Sequence, residues 1–78
     1  MNEVINILNT HLPEKNFILS SDYINDGLLD SFDIITLIVE LENKFNIIID
    51  PEDIIPENFI NSIAISELIK KRGGYIII

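Results

Sequence analysis

Residues 27–33 have the sequence Gly27-Leu28-Leu29-Asp30-Ser31-Phe32-Asp33 and lead directly into an apolar repeat. A turn residue and two leucines therefore precede a single serine that has acids close to it on both sides. Serine is preferred at the N-terminus of a helix, and acids are favourable in the first turn. The stretch predicts a helix that begins at Ser31, with Ser31 as its N-cap and its hydroxyl accessible to an enzyme.

The predicted helix runs from Ser31 to about Phe45 and has two apolar stripes. The first stripe has the i, i+3, i+4, i+7 and i+11 spacing of a face that packs on a core; it consists of Ile34, Leu37, Ile38, Leu41 and Phe45. The second stripe lies on an adjoining face and consists of Phe32, Ile35 and Val39. A helix with two apolar faces either lies at the centre of a bundle or also provides a docking surface.

The residues before this helix predict a first helix and a long packed loop. Helical spacing indicates a helix from about Asn2 to His11, ended by Pro13, with His11 as a cation at its C-terminal end. Its apolar residues are Met1, Val4, Ile5, Leu8 and Leu12. Residues 13–30 form a connection of a length that is often functional. We expect its apolar residues to pack on the core: Phe17, Ile18, Leu19, Tyr23, Ile24, Leu28 and Leu29.

The residues after Phe45 predict a connector and two further helices. Residues 46–50 have strand propensity but no partner strand, so an extended and buried connector is expected. Pro51 favours the start of a short third helix. Asn61 or Ser62 is expected to cap a fourth helix, which Gly73 and Gly74 end. The fourth helix offers for burial Ile63, Ile65, Leu68 and Ile69, with Lys70, Lys71 and Arg72 at its C-terminal end.

These elements together predict an all-α fold. It is a small four-helix bundle with a long first loop and a short third helix, forming one domain over residues 1–78. The apolar tail, Tyr75 to Ile78 within residues 73–78, has no evident role. It either folds back on the core, pairs with residues 47–49 or is mobile.

The composition excludes several classes of function. The net charge of -8 disfavours nucleic acid and anionic membranes as partners and favours basic protein surfaces. Without cysteine, the chain has no disulfide framework, and its one histidine does not make a metal site. No basic signal segment and no membrane-spanning run is evident. We expect a monomeric cytoplasmic protein that is not an enzyme, because no paired acid and base and no activated nucleophile is recognisable.

The segment Gly27-Leu28-Leu29-Asp30-Ser31, joined to the apolar repeat behind it, resembles the attachment site of acyl and peptidyl carrier proteins. The resemblance extends over roughly residues 2–72. It implies that Ser31 receives a 4'-phosphopantetheine arm from coenzyme A through a phosphopantetheinyl transferase, and that the arm carries an acyl or aminoacyl group as a thioester. It also implies that Asp30 helps the transferase and its metal to recognise the site; the alternative for Asp30 is a turn or capping residue.

Within this family, the helix surface is more similar to stand-alone D-alanyl and peptidyl carriers than to fatty-acid carriers. Thr36 and Asn43 stand where acids are expected in a fatty-acid carrier, and Lys44 adds a base. Partner enzymes are therefore expected to contact the chain mainly through Phe32, Ile35 and Val39, with Asp33 beside them. The implied partners are an adenylating ligase or acyltransferase and a downstream enzyme that accepts the acyl group. The alternative is a non-covalent helical adaptor that binds a partner through the same stripe, with Ser31 as a simple cap.

Overall fold

The computed structural model describes residues 3–18 and 20–75, and within these residues the fold is all-helical. The α-helices are α1 (Glu3–His11), α2 (Ser31–Phe45) and α3 (Ser62–Lys71). Two short 3-10 turns, Pro51–Asp53 and Pro56–Phe59, lie between α2 and α3. The predicted boundaries of the first, second and last helices agree with this arrangement over the described residues.

The prediction of a four-helix bundle is wrong, because the segment after Pro51 forms only a three-residue 3-10 turn. Pro56 explains this outcome. A proline has no N–H to continue a helix and disfavours helical geometry in the preceding residue. Ile55 is accordingly extended, with φ -127° and ψ 150°, and a second 3-10 turn begins at Pro56. The described residues therefore contain three α-helices rather than four.

The core lies where the three helices and the first loop meet. In α2, Leu37, Ile38 and Leu41 are buried, while Ile34 and Phe45 pack at the edge of the same cluster. This confirms the first stripe as the core face. The other helices contribute Val4, Ile7, Leu8, Ile65, Leu68 and Ile69. Ile7 was not among the residues predicted to be buried.

The long loop packs on the core as expected, with one exception. Phe17 and Tyr23 are buried and meet edge to face, with ring centroids 5.0 Å apart. The Tyr23 carbonyl oxygen accepts hydrogen bonds from the N–H groups of Leu28, at 2.8 Å, and Leu29, at 3.1 Å. Ile18 is 62% exposed, so its predicted burial is wrong. Leu19 lies outside the described residues.

The connector after α2 is extended, and its side chains alternate. Ile47 and Ile49 are buried, whereas Ile48 is 77% exposed. Alternation follows because successive side chains of an extended segment point to opposite sides. The Ile49 N–H also donates to a carboxylate oxygen of Glu42 at 2.9 Å, which holds the connector against α2.

The start of α3 is capped by Asn61, whose side chain accepts a hydrogen bond from the Ala64 N–H at 2.9 Å. Ile63 is 71% exposed, contrary to its predicted burial. It is two positions before the buried Ile65, which is about 200° around the helix axis and thus on the opposite face.

The end of α3 agrees with the predicted stop at the two glycines. Gly73 has a φ of 90°, and a Cβ at Gly74 would collide with Cγ2 of Ile69, so the chain passes closely over the helix end. Tyr75 is 83% exposed, and residues 76–78 of the tail lie outside the described residues.

Candidate functional site

Ser31 is the first residue of α2, and Asp30 is its N-cap. A carboxylate oxygen of Asp30 accepts the Asp33 N–H at 2.8 Å. In return, the Asp33 carboxylate lies 3.4 Å from the Asp30 N–H, which completes a capping box. The prediction of Ser31 as N-cap is therefore wrong by one residue. Aspartate and serine are equally good caps, and here the residue three positions before Asp33 takes the role.

The Ser31 hydroxyl is consequently free. Ser31 is exposed, and its hydroxyl has no hydrogen-bond partner among residues 3–18 and 20–75. The Ile34 N–H donates to the Asp30 carbonyl oxygen at 3.0 Å. The N–H groups of Ser31 and Phe32 come before Ile34, in the first turn, where a helix offers them no carbonyl partner. Unpaired N–H groups in the first turn of a helix favour an anion. A negatively charged group attached to Ser31 would therefore meet a favourable environment.

Lys15 ties the long loop to both flanks of Ser31. Its Nζ donates to the Leu28 carbonyl oxygen at 2.8 Å and to the Asp33 carboxylate at 2.7 Å. The hydrogen bond from Lys15 lowers the pKa of Asp33, against the opposing effect of burial. The Asp33 side chain is only 13% exposed. Sequence reasoning missed Lys15, because nothing in the local pattern links residues 18 positions apart.

An apolar pocket lies directly beside Ser31. It has a volume of about 220 Å³ and is lined by Ser31, Ile34, Ile35, Ile54, Ile55 and Pro56. One wall belongs to α2, and the other wall is the segment that joins the two 3-10 turns. Ile54 and Ile55 are 45% and 42% exposed, so this second wall is only partly packed. No local sequence pattern indicates this wall, because it approaches α2 only through tertiary folding.

The second stripe of α2 is exposed, as its position predicts. Phe32 is 76% exposed, Ile35 60% and Val39 48%. Phe32 is next to Ser31 along the chain, and Ile35 lines the pocket as well. The structure thus places the serine, the pocket and an apolar surface together at one end of α2.

Elsewhere, a groove of about 400 Å³ lies between α1 and α2. There, Nε2 of His11 lies 3.3 Å from a carboxylate oxygen of Glu40, so His11 joins the two helices as well as ending α1. The described residues bring together no cluster of three or more metal-ligating side chains. None of the described helices has both the length and the apolar character needed to cross a membrane.

Fold and site define a small acidic helical domain that exposes the Ser31 hydroxyl at the N-terminus of α2. No family model matches the chain, and no solved structure matches it. A D-alanyl carrier protein of Leuconostoc citreum (strain KM20) is 44% identical over 46 residues, which cover 58% of this chain and 59% of that protein. The chain thus spans about three-fifths of the length of this curated relative. Over these 46 residues the chain is therefore similar to a carrier protein.

Proposed function

We propose that this protein carries an acyl or aminoacyl group as a thioester on a 4'-phosphopantetheine arm attached to Ser31. The observation that carries the proposal is the exposed and unpaired Ser31 hydroxyl on the first residue of α2, beside an apolar pocket. The similarity to a D-alanyl carrier protein supports it. In this role the chain is a substrate of enzymes and not itself an enzyme.

The residues around Ser31 fit such an arm. The Ser31 oxygen would form a phosphodiester, whose charge faces the unpaired N–H groups of the first turn. When bound, the arm supplies the thiol that carries the cargo. The chain contains no cysteine and so offers no competing thiol. Ile34, Ile35, Ile54 and Ile55 provide an apolar surface for the part of the arm next to its attachment point.

Asp30 has two roles in this proposal. One of its carboxylate oxygens caps α2 through the Asp33 N–H. The other has no partner in the described part of the chain and, since Asp30 is exposed, can face a transferase and its metal. Asp33 differs, because its carboxylate is engaged by Lys15 and the cap. We therefore propose that Asp33 supports the shape of the site, while the partner enzymes contact Phe32, Ile35 and Val39.

The proposed cargo is an amino acid loaded by an adenylating ligase. D-alanine is the first to test, because the similar protein of Leuconostoc citreum is a D-alanyl carrier protein. An acyltransferase and a fatty acyl chain are the competing loading route and cargo. Because the arm derives from coenzyme A, we propose a cytoplasmic site of action. A downstream enzyme would then accept the acyl group.

The cargo is tested by loading the arm-bearing protein with an amino-acid adenylating ligase, a fatty acyl carrier synthetase and a malonyl transferase in parallel. The expected result is transfer of an aminoacyl group to the protein. Hydroxylamine should release this group, because that reagent cleaves a thioester. The Ser31→Ala variant is the matched control and should remain unloaded. Efficient malonyl transfer with no aminoacyl transfer from any ligase would reverse the assignment of cargo.

The exposed stripe on α2 supports a second candidate, a non-covalent adaptor. Phe32, Ile35 and Val39 are large apolar residues in contact with solvent, which often marks a protein interface. An adaptor would bind its partner equally well with alanine at position 31 and without an arm. A carrier would lose transfer of its cargo in the same variant.

A further inference from the structure

Arg72 gathers three acids at the C-terminal end of α3. It is the C-cap residue of that helix. Its Nε donates to Asp53 at 2.5 Å, its Nη1 lies 3.1 Å from Asp50, and its Nη2 lies 3.9 Å from Glu52. All three acids come from the first 3-10 turn or its cap, so one guanidinium ties this turn to α3.

Asp53 is the buried member of this cluster, with only 2% of its surface exposed. A buried carboxylate is costly unless it is paired and hydrogen-bonded. The Asp53 carboxylate accepts hydrogen bonds from the Arg72 guanidinium, from the Asp50 N–H at 3.2 Å and from Lys71 Nζ at 3.5 Å. The hydrogen bond from Arg72 is the main reason why the pKa of Asp53 is lowered to about 2. The proposed attachment chemistry at Ser31 uses none of these groups.

The anchored residue stands directly before the outer wall of the pocket beside Ser31. Asp53 precedes Ile54, Ile55 and Pro56 along the chain, and these three residues line the pocket. The Asp53 carbonyl oxygen also accepts from the Ile55 N–H at 2.9 Å and from the Asn58 side chain at 2.8 Å. Because Ile54 and Ile55 are nearly half exposed, their own packing gives the wall little support. The Ile54 N–H donates to the Pro51 carbonyl oxygen and the Asn58 N–H to the Ile55 carbonyl oxygen, both at 3.1 Å, but these bonds stay within the segment. The side chain of Asp53 is what ties the segment to α3.

We propose that Arg72 is a positioning residue for the Ser31 site: through Asp53 it holds the Ile54–Pro56 wall of the pocket in place. The second half of the inference rests on the proposed function: the same wall contacts the group attached to Ser31. Arg72 acts through Asp53 and takes no part in the chemistry. The first half of the proposal concerns the unmodified chain and does not depend on the arm.

The test compares Arg72→Gln with Lys70→Gln by NMR. Lys70 is the matched control, because it is on the same helix end and its loss changes the net charge equally. Among the residues that the structure describes, its side chain pairs only with Glu67, at 3.5 Å. In the unmodified Arg72→Gln protein, the backbone order parameters of Ile54 and Ile55 should fall from about 0.85 to below about 0.6. Those of the core residue Ile65 should not change. Equal order parameters in both variants and the parent would overturn the proposal.

The second measurement follows chemical shifts when the arm is attached. In the parent and in Lys70→Gln, attachment should shift the methyl signals of Ile54 and Ile55; in Arg72→Gln these shifts should be lost, although Ser31 is still modified. Shifts that survive in Arg72→Gln would refute a role for Arg72 in receiving the arm. If no protein is modified, the proposed function fails, while the order parameters still decide whether Arg72 holds the wall.

Should Arg72→Gln fail to fold, Arg72→Lys provides the same test. Lysine keeps the charge but lacks the planar fork that bonds several acids at once. Order parameters at Ile54 and Ile55 between those of the parent and the flexible limit would support the proposal. Parental values in a folded Arg72→Lys protein would show that a charge alone is sufficient and would contradict the positioning role of the guanidinium.

Discussion

Replacement of Asp30 by alanine should destabilise the protein, whereas replacement of Ser31 by alanine should not. The Asp30→Ala variant loses the acceptor for the Asp33 N–H, which lies 2.8 Å away. Loss of an N-cap costs about 0.5–2 kcal/mol, typically about 1. We expect a loss of about 1 kcal/mol in the free energy of unfolding, because Asp33 keeps its bond to Lys15. The Ser31→Ala variant loses no described hydrogen bond and gains the best helix former, so its free energy of unfolding should change by less than about 0.5 kcal/mol.

Urea unfolding followed by circular dichroism measures both changes. With a slope of about 1 kcal/mol per molar for a domain of this size, Asp30→Ala should lower the midpoint by about 1 M. Asp30→Asn is the control, because its side-chain oxygen still accepts the Asp33 N–H and should restore most of the midpoint. The reasoning is refuted if Ser31→Ala lowers the midpoint as much as Asp30→Ala does. In that case the serine hydroxyl would be the cap.

Three further predictions concern the two stripes of α2 and the paired acids Asp33 and Asp53. Leu41→Ala should lower the free energy of unfolding by about 2–5 kcal/mol, since it leaves a cavity at a fully buried site. Val39→Asp should change stability by less than about 0.5 kcal/mol, because Val39 is half exposed, yet it should slow loading by the partner enzyme. The midpoint of unfolding should fall on acidification, because the pKa values of Asp33 and Asp53 are lowered in the fold. The contribution of each acid is complete above the ordinary pKa of 3.8 and is lost as the pH falls through its lowered pKa, which for Asp53 is about 2.

Each of these predictions has a clear contrary outcome. An unfolded Val39→Asp protein would show that the stripes are wrongly assigned. A small effect of Leu41→Ala would place that residue outside the core. For the acids, Arg72→Gln should reduce the loss of stability between pH 4 and pH 2. Without Arg72, the pKa of Asp53 should lie closer to its ordinary value of 3.8, so that less stability depends on its ionisation. An unchanged acid profile would contradict the role given to that pair.

The helices were predictable from the sequence, because their apolar periodicity is long and regular. The extent of α2 follows from the core spacing between Ile34 and Phe45, which tertiary contacts do not override, and its start follows from the capping residues before it. Ile18 and Ile63 were predicted to be buried simply because they are apolar. Ile63 lies on the face of α3 opposite to Ile65, and Ile18 lies outside any repeat. The N-cap was misplaced because adjacent aspartate and serine are equally suited to it.

The site was predictable in part. Ser31 and the exposed stripe follow from local sequence, since both depend only on where α2 begins and on its period. Lys15, Arg72 and the wall at Ile54 and Ile55 were not predicted. Each contacts residues far away along the chain, and no local spacing encodes such a contact. The prediction of a short third α-helix was wrong, because Pro56 limits the length of a helix in this segment more than Pro51 favours its start.

Attachment of the arm to Ser31 is the central claim, and intact-mass spectrometry tests it most directly. The parent protein, incubated with coenzyme A and a phosphopantetheinyl transferase of broad specificity, should gain the mass of one arm. The Ser31→Ala protein should gain none, while its unfolding midpoint stays close to that of the parent. Modification of a folded Ser31→Ala protein, or an unmodified parent with several active transferases, would contradict the account.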